Sequence, residues 1–133
     1  MPVKFPLKTK TTDLGVVSDP VISIGVLTRH GYLNFDFLVD TGADYTMMPK
    51  TMAPILGIRL DGLPKVQFGG IEGKGVLTYI TYITVKIDDK SEKMTCALSS
   101  NDQCPFILGR KDVFSKHSIF FDNQKKFIKF ISI

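Results

Sequence analysis

The sequence predicts an all-β, barrel-like domain carrying one or two short helices. Three observations predict it. Short apolar stretches rich in Val, Ile, Phe and Thr recur along the chain, as strands require. Turn formers separate them, among them Arg29-His30-Gly31, Asp61-Gly62 and Asp88-Asp89-Lys90-Ser91. With 133 residues, 44% of them hydrophobic, the chain holds one modest core and no more.

Taken in order, residues 1–18 form an N-terminal arm. Pro20 to Leu27 (PVISIGVL) is a strand, and Leu33 to Val39 returns as the second arm of a hairpin that ends at Asp40. Tyr45 to Met48 is a short strand closed by Pro49. Thr51 to Gly57 is a short helix, with Thr51 as its cap, Pro54 in the first turn and Gly57 at its end. Lys65 to Phe68 and Val76 to Ile87 are extended and flank the glycine-rich GGIEGKG. Lys93 to Leu98 is the next strand. Pro105 to Leu108 is a short apolar run of the kind buried on both faces, stopping at Gly109. Lys111 to His117 is expected as the second helix. Ile119 to Phe121 and Phe127 to Ile131 pair as a hairpin within a C-terminal segment 119–133. No repeat or linker interrupts the chain, so residues 1–133 read as a single domain.

Composition narrows the function. The net charge is +4, but Lys4, Lys8 and Lys10 at one end and Lys125, Lys126 and Lys129 at the other do not stripe one helix. A solvated basic surface with no nucleic-acid partner is expected; the alternative, a small β-barrel that binds nucleic acid through its lysines, has no aromatic-basic interleaving in the sequence behind it. No apolar run reaches the ~20 residues that span a bilayer, and MPVKFPLKTKTTDLG has no continuous apolar leader core. A soluble, cytoplasmic protein with no membrane partner is the expectation. Cys96 and Cys104 read as free thiols rather than a bridge. His30 and His117 stand alone, so neither metal nor cofactor is expected.

The stretch FLVDTGADYT, Phe37 to Thr46, carries the chemistry. Asp40 directly follows Phe37, Leu38 and Val39, which places it at or near the interior, where a carboxylate needs a partner. As a turn after a strand, Asp-Thr-Gly is ordinary. As half of a pair of carboxylates sharing one proton, it activates a water against a peptide carbonyl. Gly42 suits that role, since its N–H approaches a carboxylate with no Cβ in the way. The Thr41 hydroxyl can reach across to a partner loop. A second apolar run ending in glycine, Phe106-Ile107-Leu108-Gly109-Arg110, lies downstream.

Together, FLVDTGADYT and FILGR resemble the retroviral-type aspartic peptidases, the retropepsins, and their single-domain cellular relatives. The likeness runs from Pro20 to Ile131 in the family's order of elements, and it implies a closed acid-protease barrel. It also implies a catalytic Asp40, a Thr41 that grips the partner loop beneath the paired acids, and a Gly42 that bonds the substrate backbone. Ala43, Asp44, Met47, Pro105 and Ile107 fall at substrate-lining positions. Gly109 and Arg110 support the site, Arg110 by a forked contact to Asp44, although an arginine there is also an ordinary solvated residue. Gln67 to Gly75 resembles the family's flap, with Gly70 and Ile71 at its tip; as a bare sequence it is equally a glycine-rich surface hairpin.

The mechanism needs two carboxylates and the chain offers one Asp-Thr-Gly; Asp13-Leu14-Gly15 lacks the preceding apolar strand. The expectation is therefore an aspartic endopeptidase acting on polypeptide as a C2 homodimer. The alternative is a retropepsin-like dimerisation or peptide-binding module with little turnover. Residues 127–133 are apolar on both faces, which leaves open whether that strand pairs between subunits or with its own barrel.

Overall fold

The computed structural model describes residues 2–69 and 75–133. Its strands are β1 (Val3–Pro6), β2 (Lys8–Thr12), β3 (Gly15–Asp19), β4 (Val21–Thr28), β5 (Gly31–Val39) and β6 (Thr46–Pro49), then β7 (Lys65–Phe68), β8 (Val76–Lys86), β9 (Ser91–Ser99), β10 (Ile107–Leu108), β11 (His117–Asp122) and β12 (Phe127–Ser132). Between β6 and β7 a 3-10 turn, Lys50–Met52, runs into one turn of α-helix, α1 (Ala53–Leu56).

Alternation builds the barrel. In β4, Ile22, Ile24, Val26 and Thr28 are buried while Ser23 and Leu27 are exposed, the period of two that a half-covered strand requires. Seven strands line up as β4-β5-β10-β6-β9-β8-β7, and β8 also pairs with β4 through Gly25↔Lys86 and Val26↔Val85, which closes the sheet on itself. Closure removes the open edges that β4 and β8 would otherwise present. Phe37, Met48, Met94, Leu98 and Leu108 fill the interior. No helix among the described residues is long and apolar enough to cross a membrane.

The arm, residues 1–18, carries three strands that its polar sequence did not announce. Strand β1 pairs antiparallel with β12, which pairs in turn with β11, all within one chain. Leu7, Ile128 and Phe130 join the same apolar cluster as Ile24 and Leu98. Strands β2 and β3 form a separate two-stranded hairpin. The lysines that look scattered along the sequence are gathered by this pairing, with Lys4 directly opposite Lys129.

Two helix expectations are corrected. Thr51 does not cap α1: the chain enters through the 3-10 turn from Pro49, and no side chain caps either segment. Gly57 does end the helix, at φ 74°, a conformation open to glycine. No helix forms over Lys111 to His117. Lys111 is extended (ψ 132°) and Asp112 is left-handed (φ 68°) within a kinked turn, Arg110–Phe114. The cause lies outside the local sequence. The Asp112 carboxylate accepts the N–H of Thr95 on β9 at 2.8 Å, and aspartate tolerates the left-handed region better than most residues.

Candidate active site

The site is built where two loops cross. Short β10 wedges between the ends of β5 and β6, parallel to β5 through Leu108↔Val39 and antiparallel to β6 through Ile107↔Met47. Ladder bonds continue past the strand ends: Leu38 N–H donates to Phe106 O at 2.8 Å and Asp40 N–H to Leu108 O at 3.1 Å. Asp40 is thus fixed by its own backbone on a buried strand pair. On the far side, Arg110 N–H and Lys111 N–H donate to the carbonyls of Ala43 and Asp44, each at 2.9 Å. The loop from Asp40 to Tyr45 is clamped at both ends.

Gly109 lies at the crossing. A Cβ there would stand 2.3 Å from the carbonyl carbon of Tyr45, so no larger residue fits without moving the backbone. Its N–H reaches the buried hydroxyl of Thr46 at 3.3 Å, which provides for an amide otherwise cut off from water.

Asp40 is half-buried in the single chain rather than interior, because β5 ends at the surface and the loop turns outward. Its Oδ1 accepts the N–H of Gly42 at 2.9 Å, and the Asp40 carbonyl accepts that of Ala43 at 3.2 Å. Oδ2 has no hydrogen-bond partner among the described residues. Thr41 and Gly42 are exposed. The carboxylate is therefore held by a backbone donor on one oxygen, while the other has no partner among the described residues.

Asp44 and Arg110, 66 residues apart in sequence, form an ion pair through Oδ1 and Nη2. Both side chains are more than half exposed, so the pair orients Asp44 more than it stabilises the fold. Ala43, Asp44, Tyr45 and Met47 make one wall of a groove of about 270 Å³, and Gln67, Phe68 and Gly69 make the other. Ile107 is joined to this wall as the ladder partner of Met47. Pro105 is exposed and does not line the groove. Gly70 and Ile71 lie outside the described residues.

Tyr45 and Phe68 complete the groove and are not singled out by the sequence. Their rings stack at 5.5 Å with an interplanar angle of 12°, tying the Asp40 loop to the end of β7. The signal available was one aromatic beside each motif, which is too common to read. Among the described residues no cluster of His, Cys, Asp or Glu is arranged to hold a metal.

Three comparisons bear on this geometry. The sequence model of the family described as "gag-polyprotein putative aspartyl protease" matches residues 28–112, more than half of the chain. Among solved structures, a retropepsin-like aspartic protease from Rickettsia conorii superposes with a TM-score of 0.63 at 17% identity, over 98% of this chain and 91% of that one. The EIAV protease, in a complex with the inhibitor HBY-793, is 30% identical over 76% of this chain and 88% of that one, with a TM-score of 0.49. No curated protein gives a significant match.

Proposed function

Because this chain belongs to the family of retropepsin-like aspartic peptidases, we propose that it is an endopeptidase completed by a second copy of itself. The observation that carries the reading is Asp40: one Asp-Thr-Gly carboxylate per chain, held by the Gly42 N–H at 2.9 Å and half-buried at a strand end. Two such groups brought together about a two-fold axis cannot both ionise, so they share one proton. The ionised member takes a proton from a water between them as the oxygen of that water attacks the peptide carbonyl. The protonated member donates to the carbonyl oxygen, giving a gem-diol. The dyad then gives its proton to the leaving amine nitrogen and takes one back from a gem-diol hydroxyl as the C–N bond breaks, which releases the acid and the amine and leaves the dyad with one proton again.

Extended polypeptide with apolar side chains fits the groove between Met47 and Phe68, one wall of which runs on through the ladder to Ile107. In this reading Thr41, exposed in one chain, bonds the partner's loop, and Ala43 and Asp44 meet the substrate. No metal or cofactor enters this chemistry.

The test pairs cleavage of a complex peptide mixture with sedimentation of the same protein. Asp40→Asn removes the ionisable group while keeping the Gly42 hydrogen bond, so the variant stays folded and dimeric and cleavage falls at least ~10³-fold. Cleavage retained by that variant, or cleavage by a species that sediments only as a monomer, refutes the mechanism. Peptide binding without products at any pH between mildly acidic and neutral supports the binding-module reading instead.

A further inference from the structure

We propose that the outer face of the β1-β12-β11 sheet is a binding surface for single-stranded nucleic acid, built from residues the peptide site does not use. Strand pairing brings the two chain ends into one surface. Lys4, Lys129 and Phe120 are direct ladder neighbours on that face, and two residues along each strand stand Pro6, Phe127 and Asp122. Lysine and phenyl ring interleave: Lys4 Nζ lies 4.6 Å from the centroid of the Phe127 ring, and Lys129 Nζ lies 5.6 Å from that of Phe120. Phe120 is 52% exposed.

The charge on this part of the molecule is one-sided. Residues 1–19 and 117–133 carry Lys4, Lys8, Lys10, Lys125, Lys126 and Lys129 against three aspartates, so they supply +3 of the net +4. None of these six lysines has a carboxylate within ion-pair distance among the described residues. Asp122, the one acid on the face, is engaged by the N–H groups of Gln124 and Lys125 at 3.0 and 2.8 Å. Like charges directly opposite each other, as Lys4 and Lys129 are, destabilise a strand pair. A polyanion laid across them relieves that repulsion.

Charge alone fits any polyanion, and the rings decide between them. An exposed phenyl ring, Phe120, set among cations beside the half-buried Phe127, matches a ligand that alternates phosphates with flat, π-faced groups, which a single strand does at every nucleotide. A duplex hides its base faces, and an acidic peptide or an anionic bilayer brings the charge without them. The lysine above Phe120 is no obstacle. At 5.6 Å it sits near the ~6 Å limit of cation–π attraction, so a base stacking there displaces little and leaves the ammonium beside the phosphate.

The experiment is fluorescence anisotropy of the full chain with a labelled single-stranded oligonucleotide of about a dozen nucleotides, titrated over a range of salt concentrations. Contact with about four phosphates gives a log–log salt slope of about −3. Phe120→Ala weakens binding about tenfold while Phe120→Tyr restores it. The double variant Lys4→Gln, Lys129→Gln makes the slope shallower by about 1.4. Asp40→Asn binds as the parent does, so loss of the peptide reading leaves this one standing. Absence of binding at low salt overturns the proposal, as does indifference to Phe120→Ala. Equal competition by a polyglutamate peptide, or by phosphatidylserine–phosphatidylcholine vesicles, reassigns the face to those partners and overturns it too.

Discussion

Replacing Gly109 by alanine tests whether the two crossing loops are held as tightly as the geometry implies. The new methyl carbon would lie 2.3 Å from the Tyr45 carbonyl carbon and 2.4 Å from its oxygen. Both atoms are backbone, so no rotamer change relieves the overlap, and the chains must separate by about 1 Å to reach ordinary contact. Separation stretches three bonds: Gly109 N–H to Thr46 Oγ1 at 3.3 Å, and Arg110 and Lys111 N–H to the carbonyls of Ala43 and Asp44 at 2.9 Å. Overpacking costs about 1–3 kcal/mol. Stranding the buried Thr46 hydroxyl and its partner amide adds about 1–3 kcal/mol. The expected loss is about 3–5 kcal/mol, a large part of the stability of a domain this size. Urea unfolding followed by circular dichroism reads it, with Gly69→Ala as the control, because a Cβ at Gly69 meets nothing within 4 Å among the described residues. A Gly109→Ala variant within 1 kcal/mol of that control would refute the clamp, and with it the account of how Asp40 is positioned.

Three further outcomes follow from the same structure. Arg110→Ala removes an exposed ion pair and leaves the backbone clamp intact, so stability changes by less than about 1 kcal/mol while peptide cleavage falls about tenfold or more, measured on the same preparation. His117, with Nδ1 at 2.8 Å from Val113 O and Nε2 at 3.0 Å from Glu92 Oε1, is the partner of a carboxylate whose other oxygen is buried without one among the described residues. His117→Phe therefore costs about 3 kcal/mol in urea unfolding, and adding Glu92→Leu recovers at least half of it, since removing both members leaves no orphaned charge. Burial holds the Cys96 thiol protonated far above its ordinary 9.0, with the neighbouring Cys104 adding to the effect; burial also raises Cys104, with a smaller opposing pull from Ser99. A thiol reagent at pH 8 modifies Cys104 slowly and Cys96 only on unfolding. Because the native state keeps a proton that the unfolded chain releases near 9.0, stability falls as pH rises past that value.

The barrel was legible because its signals are local. Alternation in PVISIGVL and the run ending at Asp40 mark the first two barrel strands, and Gly57 marks the end of α1 by the conformation only glycine adopts easily. What the sequence withheld depends on distant partners. Residues Lys111 to His117 have the composition of a helix, but Thr95 on another strand takes the Asp112 carboxylate and bends the chain away. Val3 to Pro6 does alternate, with Val3 and Phe5 half-buried and Lys4 and Pro6 exposed, but four residues are too few to read, and the ladder partner β12 lies over a hundred residues on. The apolar strand places Asp40 at or near the interior, and it is half-buried: strand burial and side-chain burial part company at the last residue, where the support ends. The Tyr45–Phe68 stack is a contact between two motifs, and neither motif contains it.

The division of labour at the crossing explains why the loop can present so much polar surface. Asp40, Ala43 and Asp44 are located by their backbone N–H and C=O groups, through bonds to Leu108, Arg110 and Lys111, and not by burial of their side chains. Fixing the backbone leaves the side chains of Asp40, Thr41 and Asp44 facing outward without loosening them, because the dihedrals that aim each Cβ are already set. A site held by side-chain packing would have to bury those groups, and a carboxylate buried before its partner arrives carries a desolvation cost in the free chain. In the proposed dimer, a site held by backbone would defer that cost until a second copy covers it, when a shared proton would remove one of the two charges. The half-exposed Asp40 is thus the arrangement that the proposed two-chain mechanism requires of each copy before they meet.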